Sequence, residues 1–277
     1  MTILPTIGKV TGSSTAISRW ATFGPYYAMF PIEFVFEIVD RYSKPGDYIL
    51  DPFAGRFSVV YAGAVLGRNA TGIEINPVGW LYGKTKLSPA PKALVLERLK
   101  DVCDASEQHS IDNLPEFFHY CYSAPVLKFL AAAREILNWR RSKIDASLMS
   151  VILVNLHGKK GEGLSNQMRQ TKAMSAAYSI RWWKANGYAE PPVYDAKNFI
   201  TEKINWRYAK GIPETKGAAK VYLGDSTKRL NDVIRTTNES TQKYSLLFTS
   251  PPYQGVVDYH ADQWLRLWLL KESRTFD

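Results

Sequence analysis

The fold of this chain is decided by residues 48–55, which read Tyr48-Ile49-Leu50-Asp51-Pro52-Phe53-Ala54-Gly55. Three apolar residues of a short strand run into a turn that contains proline and glycine. Small and β-branched residues at helical spacing follow from Ser58 to Leu66, and Ala70 to Ile75 has the composition of the next strand. A strand, a loop, a helix and a second strand within about 30 residues form the mononucleotide-binding half of a doubly wound α/β fold.

The loop and the two strand ends have the features of a cofactor site. Gly55 lies where bare backbone can approach a ligand at a helix N-terminus. Glu74 ends the second strand about 20 residues later, where a carboxylate accepts hydrogen bonds from ribose hydroxyls. Asp51 would repel a pyrophosphate and attract an ammonium group. S-adenosylmethionine has both the ammonium group and the ribose, so it fits better than NAD; a Rossmann-type turn without a cofactor is the alternative.

A second strand-ending segment, residues 249–253, reads Thr249-Ser250-Pro251-Pro252-Tyr253. The apolar run from Tyr244 to Phe248 predicts a buried parallel strand that brings Ser250 and Tyr253 to the carboxyl edge of the sheet. Two consecutive prolines keep the backbone extended and lack N–H donors, so neighbouring carbonyls can accept hydrogen bonds from a ligand. Acceptors beside an aromatic ring suit the amino group of a nucleobase, and an ordinary Pro-Pro turn is the alternative.

Two further segments near the C-terminal end have recognisable patterns. Residues 220–223 predict another short strand, which runs into Gly224-Asp225-Ser226. Asp225 could accept a hydrogen bond from the adenine amino group of the same cofactor, or it is a plain turn carboxylate. Residues 264–270 form a mostly apolar helix that must be buried.

The middle of the chain predicts helices and one basic, glycine-rich segment. Residues 94–102 and 124–139 have helical spacing, and residues 148–156 are a buried helix or strand. The basic segment is residues 157–170, which lead to Arg181-Trp182-Trp183-Lys184. Basic side chains interleaved with amides and aromatics, as in this segment, suit phosphate contacts and reading of base edges. A solvated loop followed by a core tryptophan pair is the competing interpretation. The DNA-contacting candidates are Lys159, Lys160, Asn166, Gln167, Arg169 and Arg181.

Composition limits the class of protein and its partners. The chain has 277 residues and a net charge of +9, which favours a polyanionic partner. Two cysteines cannot form a disulfide framework or a four-ligand zinc site, and the four histidines are scattered, so we expect no metal centre. No signal peptide or membrane-spanning apolar run is evident, and we expect a cytoplasmic protein.

Together these segments resemble the DNA amino-methyltransferases, which methylate cytosine N4 or adenine N6 with S-adenosylmethionine. Residues 51–55 are similar to the family's cofactor loop, residues 72–77 to its ribose-binding strand, residues 224–226 to its adenine-contacting strand end and residues 249–253 to its catalytic segment. Phe30-Pro31 and residues 43–47 match the N-terminal segment that closes over the methionine moiety. The resemblance covers residues 23–84 and 221–270.

The resemblance implies a fold, a set of domains and a site. The expected fold is a Rossmann-like α/β methyltransferase with an incomplete sheet and a largely helical insertion. The expected organisation is an arm (1–22), a discontinuous catalytic core (23–90 and 218–277) and an insertion (91–217) that is the candidate DNA-recognition region. The catalytic residues implied are Ser250, Pro251, Pro252 and Tyr253; the cofactor-binding residues are Phe30, Asp51, Phe53, Ala54, Gly55, Glu74, Ile75, Asp225 and Ser226. The serine before the prolines favours cytosine N4 over adenine N6.

Two departures from the family pattern lead to further expectations. Phe57 lies where such loops have a second glycine, which makes a non-catalytic DNA-binding subunit one alternative function, beside an RNA or protein methyltransferase. The family sheet has seven strands, about three of which follow the catalytic strand, whereas 24 residues follow Tyr253 here. An open, apolar sheet edge is avoided by proteins. We therefore expect that a second polypeptide, or another copy of the chain, completes the sheet of a split or truncated enzyme, unless residues 85–220 supply the missing strands. The resemblance also implies double-stranded DNA as a partner.

Overall fold

The computed structural model describes residues 12–26, 29–238, 243–252 and 258–272. Its elements, in chain order, are α1 (Ala16–Ala21), α2 (Ile32–Tyr42), β1 (Tyr48–Asp51), α3 (Ser58–Val65), β2 (Asn69–Glu74), α4 (Pro77–Leu87), α5 (Lys92–Ser106), α6 (Glu116–Cys121), α7 (Ala124–Ile136), α8 (Lys143–Asn155), α9 (Ala176–Ala185), α10 (Ala196–Tyr208), β3 (Ala219–Leu223), α11 (Ser226–Asn238), β4 (Tyr244–Leu247), α12 (Tyr259–Asp262) and α13 (Trp264–Leu269).

The chain divides into two compact units. The first takes the described residues within Met1–Gly24, Ala28–Ser88 and Arg207–Gln254. The second takes those within Pro25–Tyr27, Pro89–Trp206 and Gly255–Asp277. All four strands that the structure describes belong to the first unit, and the named elements of the second are helices.

The first unit contains a parallel sheet with the strand order β3-β2-β1-β4. The central strands are buried, and Ile49 and Ile73 are fully inaccessible to solvent, as expected for a parallel sheet covered by helices. Helix α3 packs closely on the sheet because Gly63 has no side chain: a Cβ there would lie 2.9 Å from Ala70 Cβ. The predicted α/β fold of the Rossmann-like methyltransferase type is confirmed, with a small sheet.

The parallel register aligns the functional ends of the strands. Asp51 of β1 lies opposite Gly72 of β2, and Glu74 lies opposite Leu223 of β3. The chain adds β2 and β3 on one side of β1 and then returns to place β4 on the other side. The strand order therefore reverses between β1 and β4, which creates a topological switch point at their carboxyl ends.

The stretch predicted as an arm contains a short helix, α1. Thr15 and Ser18 form a reciprocal capping box at its start, which satisfies N–H groups that the helix leaves without partners. Trp20 is fully buried, and its ring lies 5.1 Å from the ring of Tyr208 in an edge-to-face arrangement. Burial of this one aromatic side chain ties residues 16–21 to the first unit, a contact that the polar composition of the stretch does not indicate.

The second unit has at its centre a helix, α8, that is buried over nearly its whole length. Residues 148–156, left open as helix or strand from the sequence, lie mainly in α8, which is buried from Asp145 to Asn155. The predicted buried helix near the C-terminal end is α13. It packs in this unit, with Trp268 4.3 Å from the ring of Phe118 and Trp264 4.9 Å from the ring of Phe117. Described residues 258–272 thus belong to the helical unit and not to the sheet.

Candidate active site

The carboxyl ends of β1 and β4 meet at the switch point of the sheet. The Thr249 hydroxyl, just after β4, donates a 2.7 Å hydrogen bond to Asp51 Oδ1 at the end of β1. The Phe53 N–H donates to the same carboxylate oxygen at 3.2 Å. Ligands of open α/β sheets bind in this crevice. The structure thus brings together the two strand ends to which the sequence assigns the cofactor and the catalytic segment.

Asp51 is a buried carboxyl group without an ion pair to any residue that the structure describes. Burial raises its pKa to about 7, and the hydrogen bonds from Thr249 and Phe53 offset part of that rise. The group is therefore poised between its neutral and ionised forms near neutral pH. A cation placed beside it would favour the carboxylate form.

Glu74, at the end of β2, is held by the backbone of the neighbouring loops. Its Oε2 accepts a 2.7 Å hydrogen bond from the Gly55 N–H, and its Oε1 accepts one of 2.8 Å from the Asn76 N–H. Burial raises its pKa to about 7; these backbone bonds counteract the rise and the nearby Asp51 adds to it. Each carboxylate oxygen has a second lone pair, so the side chain can still accept from a ligand hydroxyl.

The loop between β1 and α3 is fixed from three directions. The Ala54 N–H donates to the Ile73 carbonyl at 2.9 Å, and the Ser226 hydroxyl donates to the Pro52 carbonyl. Helix α4 approaches from the third side, where a Cβ on Gly79 would lie 2.4 Å from the Gly55 carbonyl oxygen. Contacts with β2, with the end of β3 and with α4 thus fix the conformation of this loop.

Asp225 and Ser226, the two cofactor-binding candidates after β3, differ in their surroundings. The Ser226 side chain is buried and used by the Pro52 carbonyl. Asp225 accepts hydrogen bonds from the hydroxyl and the N–H of Thr227, and these bonds lower its pKa. Asp225 is thus an ionised acceptor at the carboxyl edge of the sheet, whereas Ser226 links the β3 end to the cofactor loop.

Three apolar candidates lie around the same edge. Phe53 and Ile75 are exposed although both are large and hydrophobic, with 68% of Ile75 open to solvent. Phe30 packs on Phe248, with ring centroids 5.3 Å apart, and on Phe34 at 5.6 Å. The segment before α2 is thereby attached to the end of β4. Exposed apolar side chains beside buried carboxyl groups suit a ligand that has both a flat ring and polar groups.

The catalytic candidates follow β4 directly. Ser250 is half-buried, and Pro251 and Pro252 are exposed. Tyr253, the fourth of these candidates, lies outside the described residues. Ser250 thus lies just beyond the carboxyl end of β4 with part of its surface open to solvent.

The basic segment of the second unit forms an ordered loop. Gly158 pairs with Gln167, and Lys160 pairs with Gly163. Trp183 of α9 is buried below the loop and donates from its indole nitrogen to the Gln167 carbonyl at 2.7 Å. The sequence left two alternatives, a DNA-contacting segment or a solvated loop followed by a core tryptophan pair. In the structure the loop has exposed basic groups, Trp183 is buried and Trp182 is half-buried.

The six DNA-contacting candidates fall into two groups. Lys159, Lys160, Arg169 and Arg181 are exposed. Asn166 is fully buried, and its side-chain amide donates to the carbonyls of Tyr120 and Tyr188. The Gln167 side chain accepts from the Lys160 N–H at 2.8 Å. In this conformation the two amide side chains stabilise the loop, and the four cationic side chains face solvent.

Two residues of the site were given no role from the sequence. Thr249 lies inside the quoted 249–253 segment, but its link to Asp51 depends on a partner almost 200 residues away. Arg56 donates from Nη1 to the Gly24 carbonyl at 3.2 Å and from Nε to the Ser58 hydroxyl. The position of Arg56 within the cofactor loop is the only signal that the sequence contained for it.

The described residues contain no group of histidine, cysteine and acidic side chains that could hold a metal ion. None of the helices in the described part of the chain is long and apolar enough to cross a membrane.

Comparisons with known proteins give matches to part of the chain. Residues 4–78 match a family model described as DNA methylase. The type II methyltransferase M.MthZI of Methanothermobacter thermautotrophicus is 39% identical over 49 residues, which are 18% of this chain and 14% of that protein. The type II methyltransferase M.Cfr9I of Citrobacter freundii is 41% identical over 54 residues, 20% of this chain and 18% of that protein. The matched stretches thus span less than a fifth of either relative. No solved structure matches the chain significantly.

Proposed function

We propose that this chain methylates DNA, and the match of residues 4–78 to a family model described as DNA methylase supports this proposal. The methyl group would move from S-adenosylmethionine to the exocyclic amino group of a base. The observation that carries the proposal is the hydrogen bond between Thr249 and Asp51, which joins the cofactor strand end to the Ser-Pro-Pro segment at the switch point. In such a crevice a methyl donor and a base can lie next to each other.

The residues around the sheet edge fit the chemical groups of S-adenosylmethionine. Asp51 would accept from its ammonium group and Glu74 from its ribose hydroxyls, because both are buried carboxyl groups that a bound cation or donor would favour as carboxylates. The exposed side chains of Phe53 and Ile75 would cover its adenine ring. The remaining contacts proposed are with Phe30, Ala54, Gly55, Asp225 and Ser226. When bound, the cofactor supplies a methyl group on a sulfonium centre.

Ser250 and the carbonyl groups near the two prolines would orient the target amino group. The lone pair of an exocyclic amine is delocalised into the ring, so the nitrogen is a poor nucleophile. Acceptors for its two hydrogens favour a pyramidal nitrogen with the lone pair aimed at the methyl carbon. In a direct transfer the N–C bond would form as the S–C bond breaks, sulfur would keep the electron pair, and the amine held by Ser250 would then release one proton. The base must leave the duplex to reach this site, and Tyr253 would stack on it.

We expect cytosine N4 to be favoured over adenine N6, because serine precedes the two prolines. The test is incubation of the protein with S-adenosylmethionine and duplex DNA, followed by mass analysis of the nucleosides. N4-methylcytosine is the expected product, N6-methyladenine would correct the target base, and no methylated base would contradict the function. Ser250→Ala should abolish transfer and retain cofactor binding, whereas Ser110→Ala, at an exposed serine of the helical unit, should retain both.

We further propose that the loop at residues 157–170 and helix α9 contact the DNA phosphates. Lys159, Lys160, Arg169 and Arg181 are exposed, and the chain has a net charge of +9. Asn166 and Gln167 would reach base edges only after giving up their hydrogen bonds within the protein.

The double variant Lys159→Ala/Lys160→Ala tests this DNA contact. It should reduce the slope of log affinity against log salt by about 2, since each phosphate contact contributes roughly 0.9. Lys92→Ala/Lys100→Ala removes two exposed lysines of α5 and serves as the matched control, with an unchanged slope. Equal slopes for the two double variants would exclude the loop from the DNA interface.

We also propose that the outer edge of β4 accepts a further strand, from a second polypeptide or a second copy of the chain. Strand β4 is the last in the described sheet, and Leu247 on it is 64% exposed. An apolar strand with unpaired backbone groups is a template for strand addition. Sedimentation together with the methylation assay tests this proposal, because a stable and active monomer would contradict it.

A non-catalytic DNA-binding subunit is the second candidate function, because the chain has Phe57 where the family pattern has a second glycine. Titration of the protein with S-adenosylmethionine separates the two. Binding by the chain alone supports an enzyme, binding only with a partner supports a split enzyme, and no binding in either case supports the non-catalytic subunit. A methylated RNA or protein in place of DNA would identify the remaining alternative.

A further inference from the structure

We propose that Phe57 is a positioning residue whose buried ring fixes the backbone of the cofactor loop, residues 51–58. This inference rests on the proposed function, since it assigns a role in cofactor binding to a side chain that need not touch the cofactor. Its structural part is independent of that function, because it concerns the conformation of the loop itself.

The backbone at Phe57 is held in a conformation that its side chain does not favour. Its φ is 62° and its ψ is 39°, in the left-handed region that residues with a Cβ adopt rarely. The residue lies at the N-cap position of α3, where its side chain supplies no capping hydrogen bond. Neither local preference nor capping explains the conformation, so packing of the ring must stabilise it.

The ring of Phe57 lies in a slot whose two sides are glycines. A Cβ on Gly72 of β2 would lie 2.8 Å from Cδ1 and Cε1 of the ring. A Cβ on Gly83 of α4 would lie 2.3 Å from Cδ2 and 2.4 Å from Cγ. Any side chain at either position would overlap the ring. The fully buried Phe57 is therefore held between the bare backbones of a strand and a helix.

The slot fixes the part of the loop that would face the cofactor. The Phe57 N–H donates to the Ala54 carbonyl at 2.6 Å, and the Phe57 carbonyl accepts from the Tyr61 N–H at 3.0 Å. Between Ala54 and Phe57, the Gly55 N–H donates to Glu74. A ring that holds residue 57 thus also sets the position of Gly55 relative to the carboxylate proposed to bind ribose.

The neighbouring side chain fixes the loop from the opposite direction. Arg56 donates to the carbonyls of Gly24 and, more weakly, Thr22, which belong to the segment after α1. Arg56 is buried and has no acidic partner among its described hydrogen bonds. A second glycine at position 57 would leave the loop free to change conformation. In this chain Arg56 and Phe57 instead hold the loop in the conformation that would bind the cofactor. A preorganised loop has less conformational entropy to lose when the cofactor binds.

The test is amide hydrogen exchange of residues 51–58 in the full chain. Four proteins are compared: the wild type, Phe57→Gly, Gly83→Ala and the double variant Phe57→Gly/Gly83→Ala. Phe36→Leu, at an equally buried phenylalanine of α2, controls for loss of packing elsewhere in the same unit. The readout is the exchange rate of the bonded loop amides, those of Phe53, Ala54, Gly55 and Phe57, relative to global unfolding.

We expect Phe57→Gly and Gly83→Ala each to accelerate loop exchange at least tenfold, because one removes the ring and the other displaces it. In the double variant, Gly83→Ala should add nothing to Phe57→Gly, since no ring remains for the new methyl group to meet. Phe36→Leu should leave loop exchange unchanged. The proposal would be overturned if loop exchange in Phe57→Gly were as slow as in the wild type. It would also be overturned if Gly83→Ala accelerated exchange as much in the Phe57→Gly background, where the ring is absent, as it does in the wild type.

Titration with S-adenosylmethionine separates this inference from the proposed function. Phe57→Gly should weaken cofactor binding at least tenfold, and Phe36→Leu should not. Unchanged affinity in Phe57→Gly, with faster loop exchange, would overturn the positioning role for the cofactor. If the wild type does not bind the cofactor, the positioning role falls together with the proposed function, whereas the exchange data still decide whether the ring fixes the loop.

Discussion

Replacing Asp51 by asparagine should change how the stability of the first unit depends on pH. Asp51 is buried at the end of β1, and burial raises its pKa to about 7 from an ordinary value of 3.8. The Thr249 hydroxyl and the Phe53 N–H both donate to its Oδ1. Asparagine is similar in size and keeps an oxygen acceptor for these donors, but it cannot ionise.

The direction of the effect follows from the raised pKa. Between pH 4 and pH 7 the folded protein keeps the Asp51 proton, whereas the unfolded chain has lost it. The contribution of Asp51 to the free energy of unfolding is therefore largest near pH 4 and falls as the pH rises towards 7. From the two pKa values, the free energy of unfolding should fall by roughly 3 kcal/mol between pH 5 and pH 8, because one pKa unit corresponds to about 1.4 kcal/mol.

The assay is chemical denaturation of wild type and Asp51→Asn at pH 5, 6, 7 and 8. The difference in unfolding free energy should move in favour of the variant by roughly 3 kcal/mol over this range. Some pH dependence should remain in the variant, because the pKa of buried Glu74 is also raised to about 7. Asp225→Asn is the control: its pKa is lowered, so its contribution is complete above pH 5 and the variant should parallel the wild type.

Parallel pH curves for Asp51→Asn and the wild type would refute the reasoning, since they would mean that Asp51 ionises in the folded state as it does in the unfolded chain. The same carboxyl group links pH to the proposed function. If its ionised form binds the cofactor ammonium, affinity should increase up to tenfold per pH unit below pH 7 in the wild type. Asp51→Asn should remove that part of the dependence.

Three further changes test other parts of the structure. Gly79→Ala should destabilise the first unit by about 1–3 kcal/mol, because the new Cβ would lie 2.4 Å from the Gly55 carbonyl oxygen; thermal denaturation measures this, and wild-type stability would refute the close approach. Thr249→Val removes the donor to Asp51 and should raise the pKa of that carboxyl group further, which appears as an upward shift in the midpoint of the pH-dependent stability; an unchanged midpoint would exclude the bond. Trp183→Ala should destabilise the second unit by about 3–5 kcal/mol and expose the 157–170 loop to proteolysis, and an intact loop would show that the indole does not support it.

The sequence was sufficient for the local elements of the first unit. Each of three short-range patterns forms the predicted element. These patterns are the apolar residues 48–50, the small residues of α3 and the strand-like composition of residues 70–75. Parallel pairing then follows, because a helix between two strands forces a crossover connection. The DNA methylase match to residues 4–78 falls on this same region and confirms the resemblance there.

The choice of partners in the second unit could not be predicted in the same way. Asn166 has the composition of a base-reading residue, yet it is buried among carbonyls of Tyr120 and Tyr188. A polar side chain has the same local pattern whether it binds DNA or another part of the protein. Only the packing of distant segments decides between the two, because a buried amide must find hydrogen-bond partners within the protein.

The sequence by itself determined the elements around the candidate site, β1, α3, β2, β3 and β4, since hydrophobic periodicity, turn residues and glycines act over a few neighbours. The tertiary structure alone decided that Asp51 meets Thr249 and that α13 packs with the helical unit. It also decided that Phe57 finds a slot between Gly72 and Gly83. These contacts join residues far apart in the chain, and their geometry depends on how whole elements fit together, which no local pattern encodes.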